Sequence, residues 1–117
     1  MIENLTLETF KEKIFDFETN KDWTFKGELP AIVKFTAIWC SPCKTLNPIL
    51  QELSKEYVDK IKIYEIDVDQ EPELSTLFNI RSVPAMLFCT NTNKPSMKVG
   101  ALPKSKIIDA INNNLLT

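Results

Sequence analysis

The chain has 117 residues, 14 Lys+Arg against 16 Asp+Glu, three cysteines, two glycines and no histidine. This length suits one domain, residues 1–117, and 44% apolar with 26% charged residues excludes disordered, collagenous and coiled-coil architectures. Without histidine there is no Ser-His or Cys-His nucleophile pair and no His-bearing zinc site, and with glycine only at Gly27 and Gly100 no GxGxxG turn or P-loop can be written.

A formal charge of −2 with dispersed lysines offers no face for nucleic acid. No apolar stretch reaches the roughly 18 residues that cross a bilayer, so no membrane association is expected. The opening MIENLTLETFKEK lacks a basic stretch followed by an apolar one, does not read as a signal peptide, and points to a cytoplasmic protein.

In chain order, Ile2–Asn4 is a candidate short strand. Thr6 is placed to cap a helix whose inner face carries Leu7, Phe10, Ile14 and Phe17. Loop residues surround an apolar Trp23-Thr24-Phe25. Ala31–Ala37 is apolar and β-prone along nearly its whole length, as a strand buried on both faces requires. Leu46, Ile49, Leu50, Leu53 and Tyr57 then mark one face of a helix running to about Val58, with Pro48 expected to kink it. Ile61–Val68 alternates as a second strand. Glu71-Pro72 opens a short helix with Leu74, Leu77 and Phe78 inward. Val83–Thr90 and Met97–Val99 are further strands, joined by a short polar loop and therefore antiparallel. Pro103–Leu115 is a final amphipathic helix with Ile107, Ile108, Ile111 and Leu115 buried. The fold class is α/β, a mixed sheet of four to five strands with helices on both faces.

The chemistry-bearing segment is Trp39-Cys40-Ser41-Pro42-Cys43-Lys44, between the first long strand and its helix. Two cysteines spaced by two residues on a helix's first turn can close a disulfide. The first of them lies beside unpaired N–H groups and the positive end of the helix dipole, which favour the reactive thiolate. Pro42 suits an early helical position and stiffens the loop between the sulfurs. A lone CxxC is also half a zinc site, or two inert core thiols. Zinc would need two more good ligands, and only Cys89 and carboxylates are on offer, so no metal is expected.

This segment resembles the thioredoxin active site, usually WCGPCK. The resemblance extends through Phe35–Trp39, Pro48, Asp67–Pro72, Asn79–Ala85 and Lys98–Leu102, and covers about residues 30–117. It implies a thioredoxin fold with Pro84 cis before the third core strand. Cys40 would be the exposed attacking thiolate and Cys43 the buried resolving thiol of a protein-disulfide reductase. Trp39, Ile80, Val83, Pro84, Val99, Gly100 and Ala101 would form the substrate-docking surface, with the Val83 backbone beside Cys40. The resemblance also implies a monomer without bound cofactor, acting on disulfide-containing proteins. Its electrons would come from NADPH through a thioredoxin reductase.

The sequence departs from the family where a buried aspartate is usual, six residues before the first cysteine: that position is Lys34, and Glu65 stands where a lysine is common. Together they are expected to replace the aspartate, Lys34 stabilising the Cys43 thiolate and Glu65 taking the proton directly or through water. A cation there is expected to make the couple more oxidising than the roughly −270 mV of thioredoxin. The bland reading lets Lys34 snorkel to the surface. Ser41 replaces the usual glycine, and either donates to the Cys40 sulfur or merely starts the helix. Cys89 reads as a small buried apolar residue, with a regulatory thiol as the alternative. Two other functions stay open: a dedicated disulfide oxidase or isomerase, and a thioredoxin-fold docking module without redox turnover.

Overall fold

A computed structural model describes residues 2–116. The elements follow the order β1 (Glu3–Asn4), α1 (Leu7–Lys13), β2 (Ala31–Thr36), α2 (Ser41–Glu56), β3 (Lys62–Asp67), α3 (Pro72–Leu77), β4 (Ala85–Cys89), β5 (Ser96–Val99) and α4 (Lys104–Asn114). They build one five-stranded sheet in the order β1-β3-β2-β4-β5. β3 runs parallel to both β1 and β2, while β4 is antiparallel to β2 and β5.

The central strand β2 is buried at every position, and its period of two divides its side chains between two cores. Val33 and Phe35 join Phe10, Phe15, Phe25, Ile66, Leu74 and Leu87 on one face. Ile32 joins Leu46, Leu50, Leu53, Met86, Phe88, Ile107 and Ile111 on the other. Lys34, two residues from Ile32, is on this second face, under α2.

Two details differ from the sequence pattern. The first helix ends at Lys13, well before Phe17. The Phe15 N–H donates to the Phe10 carbonyl at 3.1 Å, and Phe15, Phe17, Trp23 and Phe25 then pack as a non-helical aromatic run. Leu77, expected inward, is 42% exposed. The six-residue α3 has only Leu74 fully buried, and Phe78, one turn on, fills the inner side against the rings of Phe10 and Phe35. Asn79, at φ 53°, closes the helix in the left-handed region that asparagine tolerates. Pro48 does not end α2, which runs through it to Glu56 although the Lys44 carbonyl loses its helical donor.

Candidate active site

Cys40 caps α2 and Cys43 sits in its first turn, because β2 delivers the chain to the helix start through Ala37–Trp39 and Pro42 fits the opening turn. The two are joined as a disulfide with their Cα atoms 5.3 Å apart. The Cys43 N–H donates to the Cys40 sulfur at 3.2 Å, so the orphan donor at the helix start is the group that would stabilise a Cys40 thiolate. Ser41, expected either to donate to the Cys40 sulfur or merely to start the helix, is exposed; among the described residues its hydroxyl makes no hydrogen bond, and its carbonyl accepts from the Thr45 hydroxyl at 3.5 Å.

Cys40 was expected to be exposed. In the disulfide it is buried, 3% accessible, in a small cluster with Ala37 and Cys43 against which Val68 and Val83 pack. The residues that stand out around it are Ile38 and Trp39, 80% and 67% exposed. Trp39 is held in place by its indole N–H, which donates to Asp69 Oδ2 at 2.7 Å.

Across from the cysteines, the Val83–Pro84 peptide is cis, and the Val83 carbonyl oxygen lies 3.6 Å from the Cys40 sulfur. The Gly100 N–H donates to the Pro84 carbonyl at 2.8 Å, which brings the end of β5 to the same loop. Gly100 has φ +103°, a conformation that favours glycine, although a Cβ there would meet open space. Ile80 and Val99 line a groove of about 200 Å³ together with Phe78, Arg81 and Met97. Val99 and Ala101 are exposed, and Ile80, Val83 and Gly100 are half-buried. Trp39 is not on this groove but on the Asp69 side of the cysteines.

Behind Cys43 the arrangement differs from the expected charge pair. Lys34 is fully buried, so it does not snorkel. β2 and β3 place it beside Glu65 in register, yet its ammonium donates to the Cys43 carbonyl at 3.0 Å and to the Asn47 side-chain oxygen. Burial lowers its pKa, and the Glu65 charge partly opposes that as a neighbour, not as a hydrogen-bond partner. A cavity of about 470 Å³ reaches Cys43 and is also lined by Thr36, Asn47, Glu65 and Asp67. Sequence reading missed Asn47 and Asp69. Asn47 lies one helical turn after Cys43, on the same face, where asparagine is a poor helix former, and that was the available signal.

Cys89 is a free, buried thiol on β4, and burial pushes its pKa well up. Among the described residues no group of three or more Cys, Asp or Glu could hold a metal ion, and no helix is long and apolar enough to cross a membrane.

Comparison with known proteins agrees with this geometry. The thioredoxin family model matches residues 2–113. The chain is 43% identical over 99 residues to a thioredoxin of Borreliella burgdorferi, covering 85% of each chain. It is 36% identical over 115 residues to a thioredoxin of Rickettsia bellii, covering 98% of this chain and 100% of that one. It is also 42% identical over 91 residues, 78% of its length, to the chloroplastic thioredoxin M-type of Spinacia oleracea, of which it spans 50%. With a disulfide-forming pair set at a helix start against a cis-proline loop, and with these relatives, the chain belongs to the thioredoxin family of protein-disulfide oxidoreductases.

Proposed function

We propose that residues 1–117 form a single thioredoxin domain acting as a monomeric, cytoplasmic protein-disulfide reductase. The Cys40 thiolate attacks one sulfur of a substrate disulfide. That S–S bond breaks, the departing thiolate takes a proton from solvent, and a Cys40–substrate mixed disulfide remains. Cys43 then loses its proton and attacks the Cys40 sulfur. The substrate leaves fully reduced by two electrons, and the Cys40–Cys43 disulfide is formed. A thioredoxin reductase returns the electrons from NADPH, so the domain serves electron transport without a cofactor of its own.

The observation that carries this reading is the position of Cys40, its sulfur accepting from the Cys43 N–H and lying 3.6 Å from the Val83 carbonyl. An extended substrate segment has there a backbone to pair with, as an added strand would. Trp39, Ile80, Pro84, Val99, Gly100 and Ala101 frame that approach, and Ser41 and Pro42 set the start of the helix. Lys34 stabilises the Cys43 thiolate while Glu65, on the cavity wall, accepts its proton through water.

Insulin reduction with dithiothreitol, comparing the native chain with Cys40→Ser, is the test. The variant should fall to the uncatalysed rate, and equal rates would refute the enzyme reading in favour of a docking module. Buried Lys34 on the Cys43 carbonyl favours one second reading, a more oxidising couple suited to an oxidase or isomerase. A glutathione redox titration decides, with a potential at or below about −270 mV excluding that second reading.

A further inference from the structure

Lys34 and Glu65 are register neighbours on adjacent parallel strands, and their side chains leave the sheet on the same face. A carboxylate is the strongest partner a buried ammonium can find. Lys34 nevertheless bonds two neutral oxygens on α2, the Cys43 carbonyl and the Asn47 side chain, which stand one helical turn apart. Asn47 lines the cavity that reaches Cys43 and Glu65, and is exposed, whereas Lys34 is off that wall and has no solvent exposure. The asparagine amide therefore lies between the ammonium and the cavity.

We propose that Asn47 is a positioning residue, whose side-chain oxygen holds the Lys34 ammonium on the Cys43 carbonyl and so keeps the positive charge at the resolving cysteine instead of on Glu65. The proposal rests on the reading of Cys43 as the resolving thiol. The ammonium bonds Cys43 and Asn47 of α2, and Glu65 of β3 is the charge that acts on it, while Lys44 and Asp67 line the neighbouring cavity with Cys43 and Glu65. From β4 the register partner is the apolar Met86. Held at Cys43, the cation favours the thiolate, and Glu65 is left as an unpaired carboxylate facing the cavity. Without the Asn47 oxygen the ammonium loses one of its two partners and is free to turn to Glu65. Both consequences weaken the field at Cys43 in the same direction.

Asn47 is an exposed helical residue and alanine is the better helix former, so Asn47→Ala leaves α2 at least as strong. The test follows thiolate absorbance against pH in reduced Cys40→Ser protein, where Cys43 is the only active-site thiol and Cys89 is silenced by burial. Four proteins are compared: this background, and the same with Asn47→Ala, with Lys34→Met, and with both. Asn47→Ala should move the Cys43 titration upward by about one pH unit, about tenfold less thiolate at a given pH. Lys34→Met should move it at least as far, and adding Asn47→Ala to it should do nothing more. An unmoved titration in Asn47→Ala, or an equal shift with and without Lys34, overturns the proposal. Lys34→Gln, which keeps a donor for the Cys43 carbonyl, takes the place of Lys34→Met if the latter does not fold. The titration needs no turnover, so its outcome is separate from the insulin assay that tests the reductase reading.

Discussion

Lys34 donates from a fully buried ammonium to the Cys43 carbonyl oxygen over 3.0 Å, so a cation is fixed on the backbone of the second cysteine of the pair. Burial of a charge without a bonded counter-ion is unfavourable, and two neutral oxygens offset only part of the lost hydration. Such a group persists where its charge has a use. In a dithiol enzyme that use is at the sulfur, because a nearby positive charge favours thiolate over thiol and therefore the reduced over the disulfide state.

Removing the charge in the otherwise native chain should make the couple more reducing. For Lys34→Met we expect a potential lower by about 30 mV or more, equivalent to a tenfold change in the equilibrium with glutathione. The variant should fold at least as stably, since replacing a buried ion by an apolar chain of similar volume is commonly neutral or stabilising by about 1–4 kcal/mol. An unchanged midpoint in a glutathione titration would show that Lys34 does not act on the sulfurs.

Trp39 presents 67% of its surface to solvent and its indole N–H donates to Asp69, which suits the substrate contact proposed for it better than a packing role. Trp39→Ala should change unfolding free energy by no more than about 0.5 kcal/mol, as surface substitutions generally do. It should raise KM for insulin several-fold while leaving the reduction of a small aromatic disulfide unaltered. Equal losses on both substrates would place Trp39 in the support of Cys40 instead.

Much of this arrangement is legible in the sequence. The apolar run Ala31–Ala37 and the alternation in Ile61–Val68 map onto the observed strands Ala31–Thr36 and Lys62–Asp67, and the Cys40–Cys43 spacing onto a helix's first turn, although spacing alone also admitted half a zinc site or two inert thiols. Lys34 could be placed on a buried strand, and Glu65 was singled out by the family resemblance, with the structure adding that the two are register neighbours. The partner it chose could not be read this way. Asn47 is separated from Lys34 by 13 positions and meets it only because α2 crosses the face of β2 that carries Ile32 and Lys34. Leu77 illustrates the same limit: helical spacing admits it to the inner face, but a helix of six residues has room there for Leu74, and Phe78 takes the rest.

Cys89 has no exposed surface, and its thiol is held protonated by burial on β4. Iodoacetamide should leave it unmodified in the native protein at pH 8 and label it fully in denaturant, because the thiolate is the reacting species. Native labelling comparable to that of the reduced Cys40–Cys43 pair would favour the alternative reading of Cys89 as a regulatory thiol.

Gly100 supplies a conformation and not a gap: φ is +103° and a Cβ would meet nothing within 4 Å. Gly100→Ala should therefore be destabilising by about 1–3 kcal/mol from backbone strain alone. A semisynthetic chain carrying D-alanine at the same position should recover that loss, since its Cβ suits positive φ. Equal stabilities for the L and D forms would contradict a conformational origin.

The buried lysine also gives the fold a pH dependence whose sign can be worked out. Burial lowers the folded-state pKa of Lys34 below its ordinary 10.5, with Glu65 partly opposing the shift. Below the depressed value the ammonium is charged in both folded and unfolded chains, and the burial penalty is present in full. Between the depressed value and 10.5 the unfolded chain holds a proton that the native one has released, so native stability rises with pH. Lys34→Met has no such group, and other titrations largely cancel in the difference between the two proteins. In the oxidised state Cys40 and Cys43 do not titrate either. The stability advantage of Lys34→Met, measured by urea unfolding of oxidised protein at pH 6, 8 and 10, should thus be largest at the lowest pH and shrink toward the highest. An advantage that stays constant, or grows with pH, would mean that Lys34 carries no burial penalty and that its ammonium is fully compensated by the Cys43 and Asn47 oxygens.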